Sequence, residues 1–330
     1  MMPTLPRRLP LGQLPTPLHR LYRAEKRWGK GHRLWIKRDD LTGCLLTGNK
    51  VRKLEFIAAH AIDNGFDTLL TCGAVQSNHC RATALVGAQL GLAVHLVLAG
   101  PPDELSKGNF FLDKLSGAKI SHYDKSEYKK NLDSILLEWQ DHYARKDSKA
   151  LVIPTGGSDG LGIWGYIAAA QEISNDLKKQ NITKSHIVCA TGSGGTQAGL
   201  SIGAEIYNLP ASIWGVNVSD NADYFIRKIK MDFYDLKSRS SGFENMDVKV
   251  RILDGYVGEG YGKADAVIYK LISELASLEG IILDPVYTGK AFQGMLAEIA
   301  KGTFSEVKDI IFVHTGGIFG LFASNEGICA

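Results

Sequence analysis

Short apolar runs recur along this chain, most of them followed by a stretch of ten or more residues with helical spacing. That alternation restricts the fold more than any other feature. The runs are Asp67 to Cys72, Ala93 to Leu98, Ala118 to His122, Ala150 to Ile153, Ser185 to Ala190, Ser212 to Val218 and Asp309 to Val313. Helical stretches lie among them at Asn78 to Leu90, Asp103 to Leu115, Glu127 to Tyr143, Leu161 to Lys179, from Thr196 onward, and Lys263 to Leu278. Strands separated by helices of this length make βαβ units, and their parallel sheets are buried on both faces. The pattern predicts an α/β protein with two mostly parallel sheets flanked by helices and a cleft between them. Arg33 to Lys37 reads as one more strand. Asp220 to Val248, polar and irregular, reads as a helix and a mobile loop.

Composition narrows the partners. The 330 residues carry a formal net charge of +3, too small to argue for nucleic acid or a membrane surface. No apolar run approaches the length of a membrane span, and the proline-containing N-terminus lacks the apolar core of a secretory signal. The five cysteines, Cys44, Cys72, Cys80, Cys189 and Cys329, include no C-x-x-C pair, so neither a disulfide framework nor a zinc site is indicated. A reducing cytoplasm is the expected compartment.

Four stretches carry chemistry. In Thr47-Gly48-Asn49-Lys50-Val51-Arg52-Lys53-Leu54-Glu55, a Gly-Asn turn opens an amphipathic helix that Asn49 can cap. Leu54, Ile57, Ala58 and Ala61 form its apolar stripe, and Arg52, Lys53, Glu55 and His60 are expected to face water. Lys50 is thereby fixed at a helix start, as an enzyme that reacts through a lysine amine requires. Thr191-Gly192-Ser193-Gly194-Gly195-Thr196 joins an apolar strand to a helix. Its glycines let backbone N–H groups approach an anion closely, and the helix N-terminus favours negative charge. Gln197 breaks the dinucleotide fingerprint, and Asn49 after Gly43-x-x-x-x-Gly48 breaks the nucleoside-triphosphate loop. One phosphate of a different cofactor fits best. Gln76-Ser77-Asn78-His79 repeats the strand-turn-helix logic, with Ser77 as N-cap, and is either a capped helix or a second anion site sized for a carboxylate. Tyr261 and Tyr287 sit among turn formers, and His314, at the end of an apolar strand, reads equally as a core residue or a catalyst.

Together these stretches resemble the pyridoxal-phosphate enzymes of the tryptophan-synthase β fold, known as fold type II. Within them the chain is most similar to the D-cysteine desulfhydrase and 1-aminocyclopropane-1-carboxylate deaminase family. The resemblance runs from Leu14-Pro15-Thr16-Pro17-Leu18 to Thr315-Gly316-Gly317 and includes Tyr287-Thr288-Gly289-Lys290. It implies pyridoxal 5′-phosphate as cofactor and a large cofactor-binding domain of residues 1–49 and 160–330. Residues 50–159 would form the small domain, with the active site in the cleft between the two.

The same resemblance implies that Lys50 holds the cofactor covalently and takes the substrate's α-proton. Thr191, Gly192, Ser193, Gly194, Gly195 and Thr196 would bind the cofactor phosphate, Asn78 the ring oxygen, and Thr315 the pyridine nitrogen, with Thr288 beside them. Ser77, Asn78 and His79 would receive the substrate carboxylate, and Tyr261 and Tyr287 would flank the reacting carbons. The implied reaction is α,β-elimination of D-cysteine to hydrogen sulfide, pyruvate and ammonia. Cyclopropane-opening deaminases carry Glu where this chain has Thr288, which is the desulfhydrase pattern. Deamination of 1-aminocyclopropane-1-carboxylate, desulfonation of L-cysteate, and non-catalytic binding of the cofactor remain the alternatives. A homodimer acting on a small amino acid is expected.

Overall fold

The apolar and β-branched run Ile187 to Thr191, in a strand Ser185–Thr191 whose residues are all buried, suits a strand with no solvent face, and such strands make up the interior of this molecule. The computed structural model of the chain describes residues 3–102 and 106–323. Its elements run β1 (Leu18–Arg20), α1 (Tyr22–Trp28), β2 (Arg33–Lys37), α2 (Asn49–Asp63), β3 (Thr68–Ala74), α3 (Asn78–Leu90) and β4 (Ala93–Ala99). Next come α4 (Gly108–Leu115), β5 (Lys119–Tyr123), α5 (Lys125–Ala144), β6 (Ala150–Ile153), α6 (Trp164–Lys179), β7 (Ser185–Thr191) and α7 (Gly195–Ile206). The chain closes through β8 (Ala211–Asn217), α8 (Ala222–Arg239), β9 (Ile252–Leu253), α9 (Ala266–Glu279), α10 (Thr288–Lys301), β10 (Asp309–Val313) and α11 (Ile318–Ala323).

Two sheets result. One has six strands in the order β1-β2-β10-β7-β8-β9, and the other has four in the order β5-β4-β3-β6. Among the described residues, only the β1–β2 pair is antiparallel. Helices cover both faces of the larger sheet: Phe292, Met295 and Ile299 pack with Leu34 and Phe312 on one side, and Tyr166, Ile173 and Leu200 with Ile187 and Ile311 on the other. The smaller sheet is sandwiched in the same way, with Leu54, Ala58 and Val86 on one face and Ile135 and Leu136 on the other. No helix among the described residues is long and apolar enough to cross a membrane.

The α/β fold with two parallel-dominated sheets is as expected, and most elements fall within a few residues of the expected bounds. Three readings need correction. The first turns of α2 do not face water, because Arg52, Lys53 and Glu55 are buried by the N-terminal arm, α6 and the 155–158 turn. Asn49 does not cap α2; Gly48 holds that position, and the Asn49 amide donates to Thr196 Oγ1 at 3.0 Å. The helix expected from Asp103 begins at Gly108, and residues 103–105 lie outside the described residues, as does Cys329. The stretch from Asp220 resolves into α8 and an irregular segment after it.

Candidate active site

Gly48 has φ of 92°, and a side chain there would meet the carbonyl oxygen of Thr315 at 2.7 Å. Only glycine lets the loop turn so close to the end of β10, and the turn brings Lys50 into the cleft at the first turn of α2. From the opposite side comes the turn Thr155-Gly156-Gly157 after β6, where Gly156 has φ of 70°. A Cβ on Gly156 would lie 3.0 Å from Lys50 Nζ and 2.5 Å from Ser193 Oγ, so this glycine is the floor against which the lysine and the serine loop close.

Two lysines converge on that floor. Lys50 Nζ donates to the Gly156 carbonyl at 3.3 Å, and Lys53 Nζ, one helical turn on, donates to the same oxygen at 3.0 Å. Lys50 lines the cavity; Lys53 is fully buried behind it. Burial pushes the Lys50 amine down to about 8. Burial, with the Lys50 charge beside it, pushes Lys53 well below the ordinary lysine range. Lys53 also donates to Ser158 Oγ at 2.9 Å and makes no ion pair among the described residues. A Cβ on Gly195 would stand 2.6 Å from Lys53 Nζ, so the buried amine lies directly under the start of α7. A buried amine held by neutral partners at a helix N-terminus regains its proton most readily beside an anion, so the place is built to receive one.

The inner pocket gathers Lys50, Asn78, Gly192, Ser193, Gly194, Thr196, Tyr287 and Thr315. It opens into a larger cavity of about 790 Å³ that adds Ser77, His79 and Tyr261. Ser77 caps α3 as expected, accepting from the Cys80 N–H at 3.2 Å. The hydroxyls of Tyr261 and Tyr287 are hydrogen-bonded to each other, with ring centroids 5.8 Å apart. Burial, and then Tyr261 itself, push the Tyr287 phenol well above its ordinary value, so it stays a neutral donor.

Three candidates stand apart. The Thr191 hydroxyl is spent inward on Gln197 Oε1 at 2.8 Å. The Gly195 N–H meets Ser158 Oγ at 3.3 Å. Thr288 is fully buried and forms a reciprocal cap with Asp284: its hydroxyl donates to Asp284 Oδ1 at 2.7 Å and accepts from the Asp284 N–H at 2.7 Å. Asp284 also takes the N–H groups of Val286, Tyr287 and Thr288, so this pair fixes the turn that launches Tyr287. His314 is a satisfied core residue: Nε2 bonds the Ile282 carbonyl at 3.0 Å, and Nδ1 accepts from the Gly316 N–H at 3.3 Å.

The sequence reading missed Lys53, Asn49 and the Thr155-Gly156-Gly157-Ser158 turn. The last had a signal, since glycines and hydroxyl residues follow an apolar strand there just as they do at 191–196. Lys53 had none, because a lysine three residues after another on a helix looks like surface.

Residues 9–316 match the protein family described as pyridoxal-phosphate dependent enzyme. The chain is 40% identical over 328 residues to the mitochondrial bifunctional D-cysteine desulfhydrase/1-aminocyclopropane-1-carboxylate deaminase of Arabidopsis thaliana, covering 94% of this chain and 78% of that one. It is 39% identical over 324 residues to a D-cysteine desulfhydrase of Klebsiella pneumoniae, covering 96% and 95% of the two chains. The crystal structure of an ACC deaminase homologue superposes with a TM-score of 0.83 at 35% identity, covering 98% and 95%. Threonine deaminase isoform 2 from Solanum lycopersicum shares the fold at a TM-score of 0.64 and 17% identity, covering 92% and 79%.

Proposed function

The chain belongs to the pyridoxal-phosphate-dependent enzymes, and from that premise we propose that it eliminates hydrogen sulfide from D-cysteine. The residues present fit the cofactor. Gly192, Ser193, Gly194 and Thr196 line a pocket without bulk, and the buried Lys53 amine would take up a proton beside a phosphate and so pair with it. Lys50 would hold the cofactor's carbonyl carbon, Asn78 its ring oxygen and Thr315 its pyridine nitrogen. When bound, the cofactor supplies an electron sink for the carbanion formed at the substrate's α-carbon.

The Lys50 amine, lowered toward neutrality by burial, takes the α-proton. Ser77 and the N–H groups at the start of α3 bind and orient the carboxylate. The paired phenols of Tyr261 and Tyr287 stand ready to protonate the β-sulfur as its bond to carbon breaks. Hydrogen sulfide leaves, 2-aminoacrylate is released, and water converts it to pyruvate and ammonia.

One observation carries the choice of substrate: among the described residues, neither the inner pocket nor the larger cavity is lined by an aspartate or glutamate. A hydroxyl partner such as Thr315 does not enforce a protonated pyridine as a carboxylate would, leaving a moderate electron sink. Expulsion of sulfide, a good leaving group, asks less of that sink than opening a carbocycle. The test supplies D-cysteine, L-cysteine, L-cysteate and 1-aminocyclopropane-1-carboxylate in turn and follows sulfide, sulfite, pyruvate and 2-oxobutanoate. Sulfide and pyruvate in equal amounts from D-cysteine alone are expected. 2-Oxobutanoate from the cyclopropane, or sulfite from cysteate, at a higher kcat/KM would overturn the substrate assignment.

A further inference from the structure

Asn109, on α4, makes no contact with the pocket and is completely buried, yet its amide is satisfied at every position. Its Oδ1 accepts from Arg81 Nε at 2.9 Å, and its Nδ2 donates to the Gln76 carbonyl at 3.1 Å and to Asn78 Oδ1 at 3.0 Å. A guanidinium has no acceptor, so the amide of Asn109 can present only its oxygen to Arg81. Its NH2 must then face Asn78, and Asn78 must answer with its oxygen. The Asn78 NH2 is left to point into the pocket that this residue lines. Arg81 is itself locked: buried, it also donates to the Leu45 carbonyl and, at 3.0 Å, to that of Thr47, in the loop leading to Lys50. The neighbouring titratable groups are Asp113 on α4, a buried carboxyl with no hydrogen-bond partner among the described residues, and Cys80 on α3.

We infer that Asn109 is a positioning residue that fixes which end of the Asn78 amide meets the cofactor. It works as the middle link of a one-way donor relay, Arg81 to Asn109 to Asn78 to the cofactor's ring oxygen. This rests on the assignment of Asn78 to that oxygen made above. A donor at the ring oxygen stabilises its negative charge and so eases loss of the proton that the neighbouring lysine-linked nitrogen carries. Turning the Asn78 amide round would put oxygen against oxygen and hold that proton more tightly.

The experiment titrates the visible absorption band of the cofactor-loaded protein with pH in wild type, Asn78→Ala, Asn109→Asp and the double variant. The carboxylate introduced by Asn109→Asp can still accept from Arg81 but has no donor for Asn78, so the Asn78 amide is expected to turn. The midpoint should rise by about one pH unit, the scale of a lost hydrogen bond to a charged group. Asn78→Ala should move it the same way, and the double variant should move it no further. A shift in Asn78→Ala with none in Asn109→Asp overturns the relay and leaves the proposed function standing. No shift in either overturns the assignment of Asn78. Additive shifts overturn the relay too, because a carboxylate acting through its charge alone would still act with Asn78 gone. Should Asn109→Asp fail to fold with cofactor, Asn109→Ala, which adds no charge, is read by the same criteria.

Discussion

Lys50 and Lys53 illustrate how two like residues one turn apart take different duties. Their amines share one carbonyl oxygen, yet only Lys50 opens onto the cavity, and it alone can reach a substrate. Lys50→Ala should abolish sulfide release, by about a thousandfold or more, and remove the cofactor's covalent visible band. Lys53→Met should keep that chemistry but weaken retention of the cofactor. Loss of one charge-assisted hydrogen bond predicts a rise in Kd of about 10- to 100-fold, measured by reconstitution after the cofactor is stripped. The stripped protein offers a test of sign. Burial lowers the Lys50 amine to about 8 in the folded protein, against the ordinary lysine value of 10.5 when unfolded. The unfolded state therefore binds more protons between those values, and stability rises with pH across that window. Apo Lys50→Met should melt above apo wild type at pH 7, and the gap should close as the pH rises through 8 toward 10.5. A gap independent of pH would mean that the amine is not desolvated.

At the scale of elements, the strands and helices were legible because burial on both faces leaves unbroken apolar runs. The contacts between elements were not. Thr288 reads in the sequence as the residue that separates two activities, and nothing there shows its hydroxyl locked with Asp284 at the start of α10. Glutamate in its place would set a second carboxylate in a buried site beside the first. Thr288→Glu is expected to cost about 2 kcal/mol or more, read from urea unfolding, and to confer no ring-opening activity. A variant as stable as wild type would show that the cap contributes little. Lys290 is another contact the pattern hides. Its buried ammonium donates to the Val257 and Gly260 carbonyls at 2.7 and 2.8 Å, tying the glycine-rich loop that bears Tyr261 to α10, whose N-cap is Tyr287. Lys290→Met should lower kcat/KM for D-cysteine about tenfold, as Tyr261→Phe should, while Tyr287→Phe in the Lys290→Met background should add little.

Across the whole molecule, the site depends on how the two sheets are held around α2. Its N-terminal turns read as a water-facing charged surface because Arg52, Lys53 and Glu55 are charged, and one helix seen alone has no way to reveal what packs on it. In the fold those side chains point inward, and Arg52 sits at the centre of an ion-pair network. Arg52 makes two hydrogen bonds to Asp39 at 2.8 and 2.9 Å and reaches Glu172 on α6 at 3.0 Å. Tyr166 donates to Asp39 at 2.5 Å, and Lys37 of β2 pairs with Glu172 at 2.5 Å. Burial alone would raise the Asp39 carboxyl, but the Arg52 charge holds it below the usual carboxylate range. The network joins β2 of the six-stranded sheet and α6 to the helix that carries Lys50, two residues before Arg52. Removing its centre leaves Asp39 charged and buried without its main partner. Arg52→Ala should therefore cost about 3–5 kcal/mol, seen as a lower urea midpoint. Because Asp39 titrates below the usual value when folded, wild type should lose this stabilisation as acid protonates that carboxyl, and the variant should lose less. The two unfolding midpoints should converge at low pH. Parallel curves down to about pH 3, below the ordinary aspartate value, would show that the network positions α2 without stabilising it.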